Sequence, residues 1–335
     1  MSFDIWNRRY TGSKYKLADW IVELIKENCT GDSFCDIFAG TSVVATKMLP
    51  NVKKLHLNDL LYSNELIYKA FYSKDKYSEK KLAKYDKKYS SLRAEKLEEN
   101  YISKNFGNKF FSYSDAKLIG YIREDISLAS DLNDKEIAIL IASLIYSADK
   151  SANTVGHYDA YIKGKSIKDK FSFQLISPMK TEGVEISISR CDANILARNM
   201  FYDIVYIDPP YNSRQYSRFY HVLENLATWN KPELTGVALK PPVENMSEYC
   251  RSNAKMAFND LIKNLKCKYI IVSYNNTYAS KSKSSRNKIE LEDMIKILKH
   301  KGNVLQFDKK HQFFNAGKTE FDDHKEFVFI VKVGT

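Results

Sequence analysis

Cysteine is sparse and poorly placed for pairing. Five residues (Cys29, Cys35, Cys191, Cys250 and Cys267) are scattered over 335 positions with no CxxC pair. That spacing argues against a disulfide scaffold and a structural zinc site, and fits a reducing compartment. Six histidines form neither HExxH nor HxxxH, so no metal is expected. The longest apolar run, "IAILIASLIY" (137–146), is too short to span a bilayer and reads as a buried helix. The first residues, "MSFDIWNRRY", lack the apolar core of a secretory signal. A cytoplasmic chain with no membrane partner is expected. There is no GxGxxG and no P-loop, which removes the usual pyrophosphate cradles. Acidic residues are also in the minority, 41 against 52 Lys and Arg, for a formal charge of +11. That balance favours polyanionic partners, nucleic acid first.

With 44% hydrophobic residues a packed core is available. "SKYKLADWIVELIKEN" (13–28) spaces its apolar residues as a helix, and "SFCDIF" (33–38) reads as a short buried strand. "AGTSVVATKML" opens a second helix, with Thr41 or Ser42 as its N-cap, and "KKLHLNDL" (53–60) is a second strand. Strand, helix and strand make a βαβ unit, hence parallel strands with a right-handed crossover. From about residue 62 to 185 the alternation stops. Lysine and tyrosine become frequent, and "DAKLIGYIREDISLA" and "DKEIAILIASLIYSADKSAN" are helical patterns. Lysines within 72–100 read as a solvated face. Strands return at 184–193, 201–208 and 268–276. The helix "KIELEDMIKILKHKG" follows, with Gly302 as its C′ residue, and a terminal antiparallel pair closes the chain.

The expected fold is α/β: one mostly parallel sheet with a terminal antiparallel hairpin and a mainly helical inserted domain. The sheet domain is assigned residues 1–61 and 186–335, the insertion residues 62–185. Ligands of such sheets bind outside the carboxyl ends of the strands. Asp36, Asp59, Asp192 and Asp208 all stand at those ends.

Each motif there has a plain and a chemical reading. In "DIFAGTS" (36–42) Gly40 lets the backbone approach a ligand, or simply makes a turn. Asp59 sits where an acid takes ribose hydroxyls, or caps the next helix. An acid kept without a phosphate loop suits a nucleoside lacking pyrophosphate. "DPPY" (208–211) carries the sharpest chemistry. An exocyclic amine on an aromatic ring is a poor nucleophile, because its lone pair is delocalised. Two acceptors aimed at its two hydrogens draw the nitrogen towards a tetrahedral shape. The Asp208 carboxylate supplies one, and the Pro209 carbonyl, held rigid by Pro209 and Pro210, supplies the other. Tyr211 can stack on the base, worth roughly 1–3 kcal/mol.

In order along the chain, "NRRYTGSKYKL" (7–17), "DIFAGTS", "LND" (57–59), "RCDA" (190–193) and "IDPPYN" (207–212) resemble the Dam-like D12 class of DNA adenine-N6 methyltransferases. The resemblance implies S-adenosylmethionine as cofactor, S-adenosylhomocysteine as product and a Rossmann-like methyltransferase fold. It implies that Tyr10 and Lys14 help hold the cofactor. Asp36, Phe38 and Gly40 would line its methionine side, Asp59 would take its ribose and Asp192 would lie near its adenine. Asp208, Pro209, Pro210 and Tyr211 would hold and activate the target adenine, with Asp208 also bordering the cofactor. Two departures stand out: "FAGTS" lacks a second glycine, and Tyr10 replaces the tryptophan of some members.

The insertion falls where the family places target recognition, so double-stranded DNA is the implied partner, with a cognate restriction endonuclease in the same system. His157, Tyr158, Lys163 and Lys165 in "VGHYDAYIKGK" are candidate DNA contacts. Arg214, Gln215, Tyr216 and Arg218 either border a flipped base or begin a helix packed on the sheet. Rival readings keep the fold: cytosine-N4 methylation, whose motif more often begins with Ser, RNA adenine methylation, or protein glutamine methylation with Asn first. A catalytically inactive DNA-binding module is the rival from another class.

Overall fold

The computed structural model describes residues 3–164, 166–276, 286–310 and 325–334. The chain divides into two compact units. One comprises Ser13–Leu60, Glu182–Gln215 and Asn245–Thr335; the other comprises Met1–Gly12, Leu61–Thr181 and Tyr216–Glu244. The helical unit therefore takes in residues 1–12 and 216–244, which the sequence reading assigned to the sheet.

The sheet unit holds seven strands: β1 (Ser33–Asp36), β2 (Lys54–Asp59), β3 (Glu185–Arg190), β4 (Tyr202–Ile207), β5 (Cys267–Asn275), β6 (Val304–Lys310) and β7 (Lys325–Lys332). Their order is β3-β2-β1-β4-β5-β7-β6. β1 to β5 pair in parallel, and β7 pairs antiparallel with both β5 and β6. β1, β4 and β5 are buried along most of their length because both their faces are covered, and β4 and β5 carry the apolar runs "IVYI" and "YIIV", as parallel central strands require. Helices Ala18–Asn28, Val43–Met48, Ala193–Asn199, Ala254–Asn264 and Leu291–Lys299 belong to this unit. One side of the core joins Val205, Ile207, Ile270 and Val272 to Phe258, Leu261, Met294 and Leu298 of the last two helices.

Two local expectations change. Ser42 occupies the N-cap position of Val43–Met48, but in a left-handed conformation (φ 54°) that makes no side-chain cap hydrogen bond. Gly302 is not a left-handed C′ residue. A Cβ there would overlap the Lys332 carbonyl oxygen, so its small size admits β7 rather than reversing the helix.

The helical unit is centred on Asp134–Ser151, buried along nearly its whole length. Asn133 and Glu136 form a capping box at its start. Helices Tyr62–Tyr72, Tyr113–Leu128 and His221–Thr228 pack around it. Buried charges serve helix ends. The Glu224 carboxylate accepts from the amides of Tyr62 and Ser63 at 3.0 and 2.9 Å. Lys135 donates to the carbonyls of Lys69, Ala70 and Ser73 where that helix ends, matching charge to the helix dipole at each terminus. Glu79–Ser90 buries only Leu82, Tyr85 and Tyr89, in keeping with a largely solvated face. No helix among the described residues is long and apolar enough to cross a membrane.

Among the described residues each unit also buries one histidine. His56 of β2 and His221 are both pushed down to about 4 by burial, from an ordinary 6.5. Between those values the unfolded chain binds protons that the folded chain refuses, so stability rises with pH. The contribution is complete above 6.5 and is lost as pH falls towards 4, by up to about 3 kcal/mol for each histidine. The raised carboxylates of Asp36 and Glu326 act in the opposite direction but are common to wild type and variant, so the difference isolates the histidine: between about pH 7 and pH 4.5 the unfolding midpoint of His221→Gln should rise relative to that of wild type. A difference between the two proteins that does not change with pH would contradict the assignment.

Candidate active site

Strand order reverses between β1 and β4, the place where open α/β sheets bind ligands. Asp36 ends β1 and Asp208 follows β4. In register, Asp36 faces Tyr206, and Ile207 faces Val272, which sets Asp208 beside Ser273.

Asp208 is held by three donors on one oxygen. Lys14 Nζ lies 2.9 Å from Oδ1, Ser273 Oγ donates to it at 3.0 Å, and the Tyr211 hydroxyl donates to it as well. The Tyr206 hydroxyl lies 2.8 Å from Ser273 Oγ behind this group. None of the three donors uses Oδ2, so the carboxylate is oriented with one oxygen committed and the other presented.

Lys14 is only 4% exposed. Burial works against its charge, but the fields of Asp208 and Glu326 and the hydrogen bond to Asp208 outweigh it and raise its pKa. Its ammonium also lies over the Tyr211 ring, 4.8 Å from the centroid. Tyr211 is further fixed by an edge-on contact with Tyr274 at 4.8 Å and 77°, and its carbonyl accepts from the Lys288 amide. Pro209 is buried and Pro210 half-buried beside them.

The loop after β1 is pinned by backbone bonds. The Ala39 amide donates to the Asn58 carbonyl, and the Gly40 amide donates to Asp59 Oδ2 at 3.0 Å. Gly40 has φ 52°, which explains glycine there. Phe38 packs edge-on against Tyr249 at 5.0 Å. The Asn58 side chain donates to the carbonyls of Ile37 and Cys191 and accepts from Ser189 and Cys191, tying the ends of β1, β2 and β3 together. Asp36 is 1% exposed, and its Oδ1 has no hydrogen-bond partner among the described residues. Burial first, then the fields of Asp208 and Asp59, push it well above the usual carboxylate range.

Lys14, Asp36, Asp208 and Tyr211 are thus one cluster, with Gly40 on the adjoining loop and Asp59 at the end of β2. Asp192 N-caps Ala193–Asn199, accepting from the amides of Asn194 and Ile195 through Oδ1. Tyr10 belongs to the helical unit. It stacks on Tyr220 at 4.9 Å, packs on Tyr216 at 5.1 Å and lies under the Arg8 guanidinium.

The candidate DNA contacts divide. Tyr158 is fully buried with its hydroxyl on Asp149 at 3.0 Å, so it is a core residue and not a DNA contact. Gln215 is buried as well, its amide exchanging two hydrogen bonds with the Ser247 backbone, which removes it from readout. Tyr216 begins the short helix Tyr216–Phe219 and gives its hydroxyl to the Thr11 carbonyl. Arg218 bonds the Pro241 carbonyl, and Arg214 is half-buried. His157 stacks on Phe219 at 4.6 Å, and Lys163 is exposed. Lys165 lies outside the described residues.

The sequence reading gave no role to three participants. Ser273 and Glu326 were visible as polar interruptions of apolar strands; Asn58 had no signal beyond its neighbour Asp59.

The D12 class N6 adenine-specific DNA methyltransferase family model matches residues 10–284. The chain belongs to this family. Similar proteins include the Type II methyltransferase M.FokI of Planomicrobium okeanokoites, 32% identical over 97% of this chain and 52% of the relative. M.NlaIII of Neisseria lactamica is 29% identical over 94% of this chain and 95% of its own length. M.CviAII of Paramecium bursaria Chlorella virus 1 is 28% identical over 97% and 98%. The chain spans about half the length of M.FokI and nearly all of the other two.

Proposed function

We propose that this chain methylates N6 of a specific adenine in duplex DNA with S-adenosylmethionine as donor. The observation that carries the reading is the Asp208 carboxylate, with Oδ1 saturated by Lys14, Tyr211 and Ser273 and Oδ2 left to face an amine. Family membership supplies the substrate class.

The residues fit the cofactor. Asp36 Oδ1, buried and without a hydrogen-bond partner among the described residues, suits the ammonium of a methionine moiety. Gly40 keeps the adjoining loop open to close approach, and Asp59 is in place for a ribose. When bound, the cofactor supplies an electrophilic methyl group on a sulfonium. Phe38 and Lys14 would border it, and Asp192 would lie towards its base.

For the target base, Oδ2 of Asp208 accepts one amine hydrogen and the Pro209 carbonyl the other. Both acceptors are held before the base arrives, so the rate gain comes from positioning and preorganised electrostatics. Pro210 stiffens the turn and Tyr211 offers a platform for the base. An adenine can reach these groups only outside the stack, so we include base flipping. The helical unit serves target recognition, with Lys163, His157, Arg214, Tyr216 and Arg218 as candidate contacts. Type II relatives favour a modification role beside a restriction endonuclease, in the cytoplasm where DNA and cofactor meet.

The test is incubation with labelled S-adenosylmethionine and, in parallel, unmethylated duplex DNA or RNA, followed by nucleoside analysis. N6-methyladenine at a reproducible sequence is expected. Label in N4-methylcytosine or in RNA alone would transfer the chain to a rival chemistry. Failure to bind the cofactor in calorimetry would favour an inactive DNA-binding module.

A further inference from the structure

β7 brings to the site a carboxylate that the reaction read above does not use. Glu326 stands opposite Asn275 of β5 and Lys309 of β6 in the two antiparallel ladders. It is 7% exposed and accepts a hydrogen bond from the Asn275 side chain. Its Oε2 is buried with no hydrogen-bond partner among the described residues. Leaving such an oxygen unpaired is costly, and an apolar residue would suit a central strand better. The charged and titratable groups whose fields it meets are Lys14 of the N-terminal segment and Asp208, Tyr206 and Tyr211 at the end of β4. Lys309 across the ladder is exposed.

The electrostatic problem at Asp208 gives this residue a task. A buried ammonium 2.9 Å from Oδ1 orients the carboxylate, but it also draws electron density away from Oδ2. Oδ2 must nevertheless accept strongly from a weakly acidic amine. A second anion in the field of the same ammonium offsets that withdrawal while leaving the orientation in place. We infer that Glu326 is a positioning residue for methyl transfer, acting through Lys14 to keep Asp208 Oδ2 a strong acceptor. The inference rests on the adenine-methylation reading above.

Burial, opposed by Lys14 and reinforced by Asp208, pushes Glu326 up to about 7. Its charge is therefore gained as pH rises through neutrality, and the chemical step should rise with it. A merely structural glutamate would leave no such step.

The experiment compares the wild type with Glu326→Gln and Glu326→Asp. It measures the single-turnover rate of methyl transfer from tritiated S-adenosylmethionine to unmethylated duplex DNA, across neutral pH. The wild-type rate should climb to a plateau through about pH 7. Glu326→Gln should show a roughly tenfold lower rate with no step near neutrality, and little change in KM for cofactor or DNA. Glu326→Asp, which keeps the charge, should keep the step. A Gln variant that reaches the wild-type plateau, or that is slow yet retains the step, overturns the inference. Thermal unfolding checks that the Gln variant is folded. Should it not be, an Asp variant without the step overturns the inference equally. A wild type that transfers no methyl group defeats the function reading itself, whereas an active wild type matched by Glu326→Gln defeats only the role of Glu326.

Discussion

Asp208→Asn should lower the methyl-transfer rate by roughly 100- to 1,000-fold while leaving the protein folded and able to bind cofactor. The asparagine carbonyl can take the place of Oδ1, accepting from Lys14, Tyr211 and Ser273 as the carboxylate does. The amide NH2 then occupies the place of Oδ2, where it donates instead of accepting and meets the amine hydrogens head on. Asp208→Ala should abolish transfer too, but it leaves the buried Lys14 ammonium without its closest partner and so costs stability as well as activity. The two variants together separate chemistry from folding. Single-turnover methylation, calorimetric cofactor binding and thermal unfolding measured side by side would show it. An asparagine variant that methylates adenine at a near-normal rate would remove Asp208 from the reaction.

Lys14→Met should be the most destabilising single change in the site. It removes the cation that Asp208 and Glu326 share and leaves buried carboxylates facing one another, with Asp36 in the same field. Removing one member of a buried pair costs about 3 kcal/mol or more at neutral pH. The sign of its pH dependence follows from the group left behind. Without Lys14 the carboxyls of Asp36 and Glu326 rise further above their unfolded values, so the folded state binds more protons than the unfolded chain. The deficit relative to wild type therefore shrinks as pH is lowered and grows as it is raised. Denaturant unfolding of both proteins at about pH 8 and about pH 5.5 would reveal this, because the histidine effect is common to both and cancels in the difference. An equal deficit at the two pH values would mean that Lys14 acts by packing alone. Methyl transfer should also be lost, since Asp208 would no longer be held with Oδ2 presented.

Much of the site was legible because its parts are local. An apolar strand that ends in Asp-Pro-Pro-Tyr announces acceptors held in a fixed place, and the ends of β1 and β2 carry Asp36 and Asp59 in the same way. Even so, locality misled at Tyr158 and Gln215. Their polar surroundings in sequence suggested DNA contacts, and their burial is decided by Asp149 and Ser247, which arrive from elsewhere in the chain. Residues 216–244 show the same limit: their helical spacing was readable, but which core that helix joins was not.

The amino-acid sequence by itself determined the order of strands and helices, the family, and the carboxylates at the strand ends, because each is written in a few consecutive residues. Tertiary structure alone decided which oxygen of Asp208 is committed and which, among the described residues, accepts from none of Lys14, Tyr211 and Ser273. Lys14, Ser273 and Glu326 come from distant stretches; the pairing of β4 with β5 and of β5 with β7 places Ser273 and Glu326, and the N-terminal segment brings Lys14 to the same carboxylate. Charge acts through space and not along the chain, so the balance that shapes this site appears only once those strands have met.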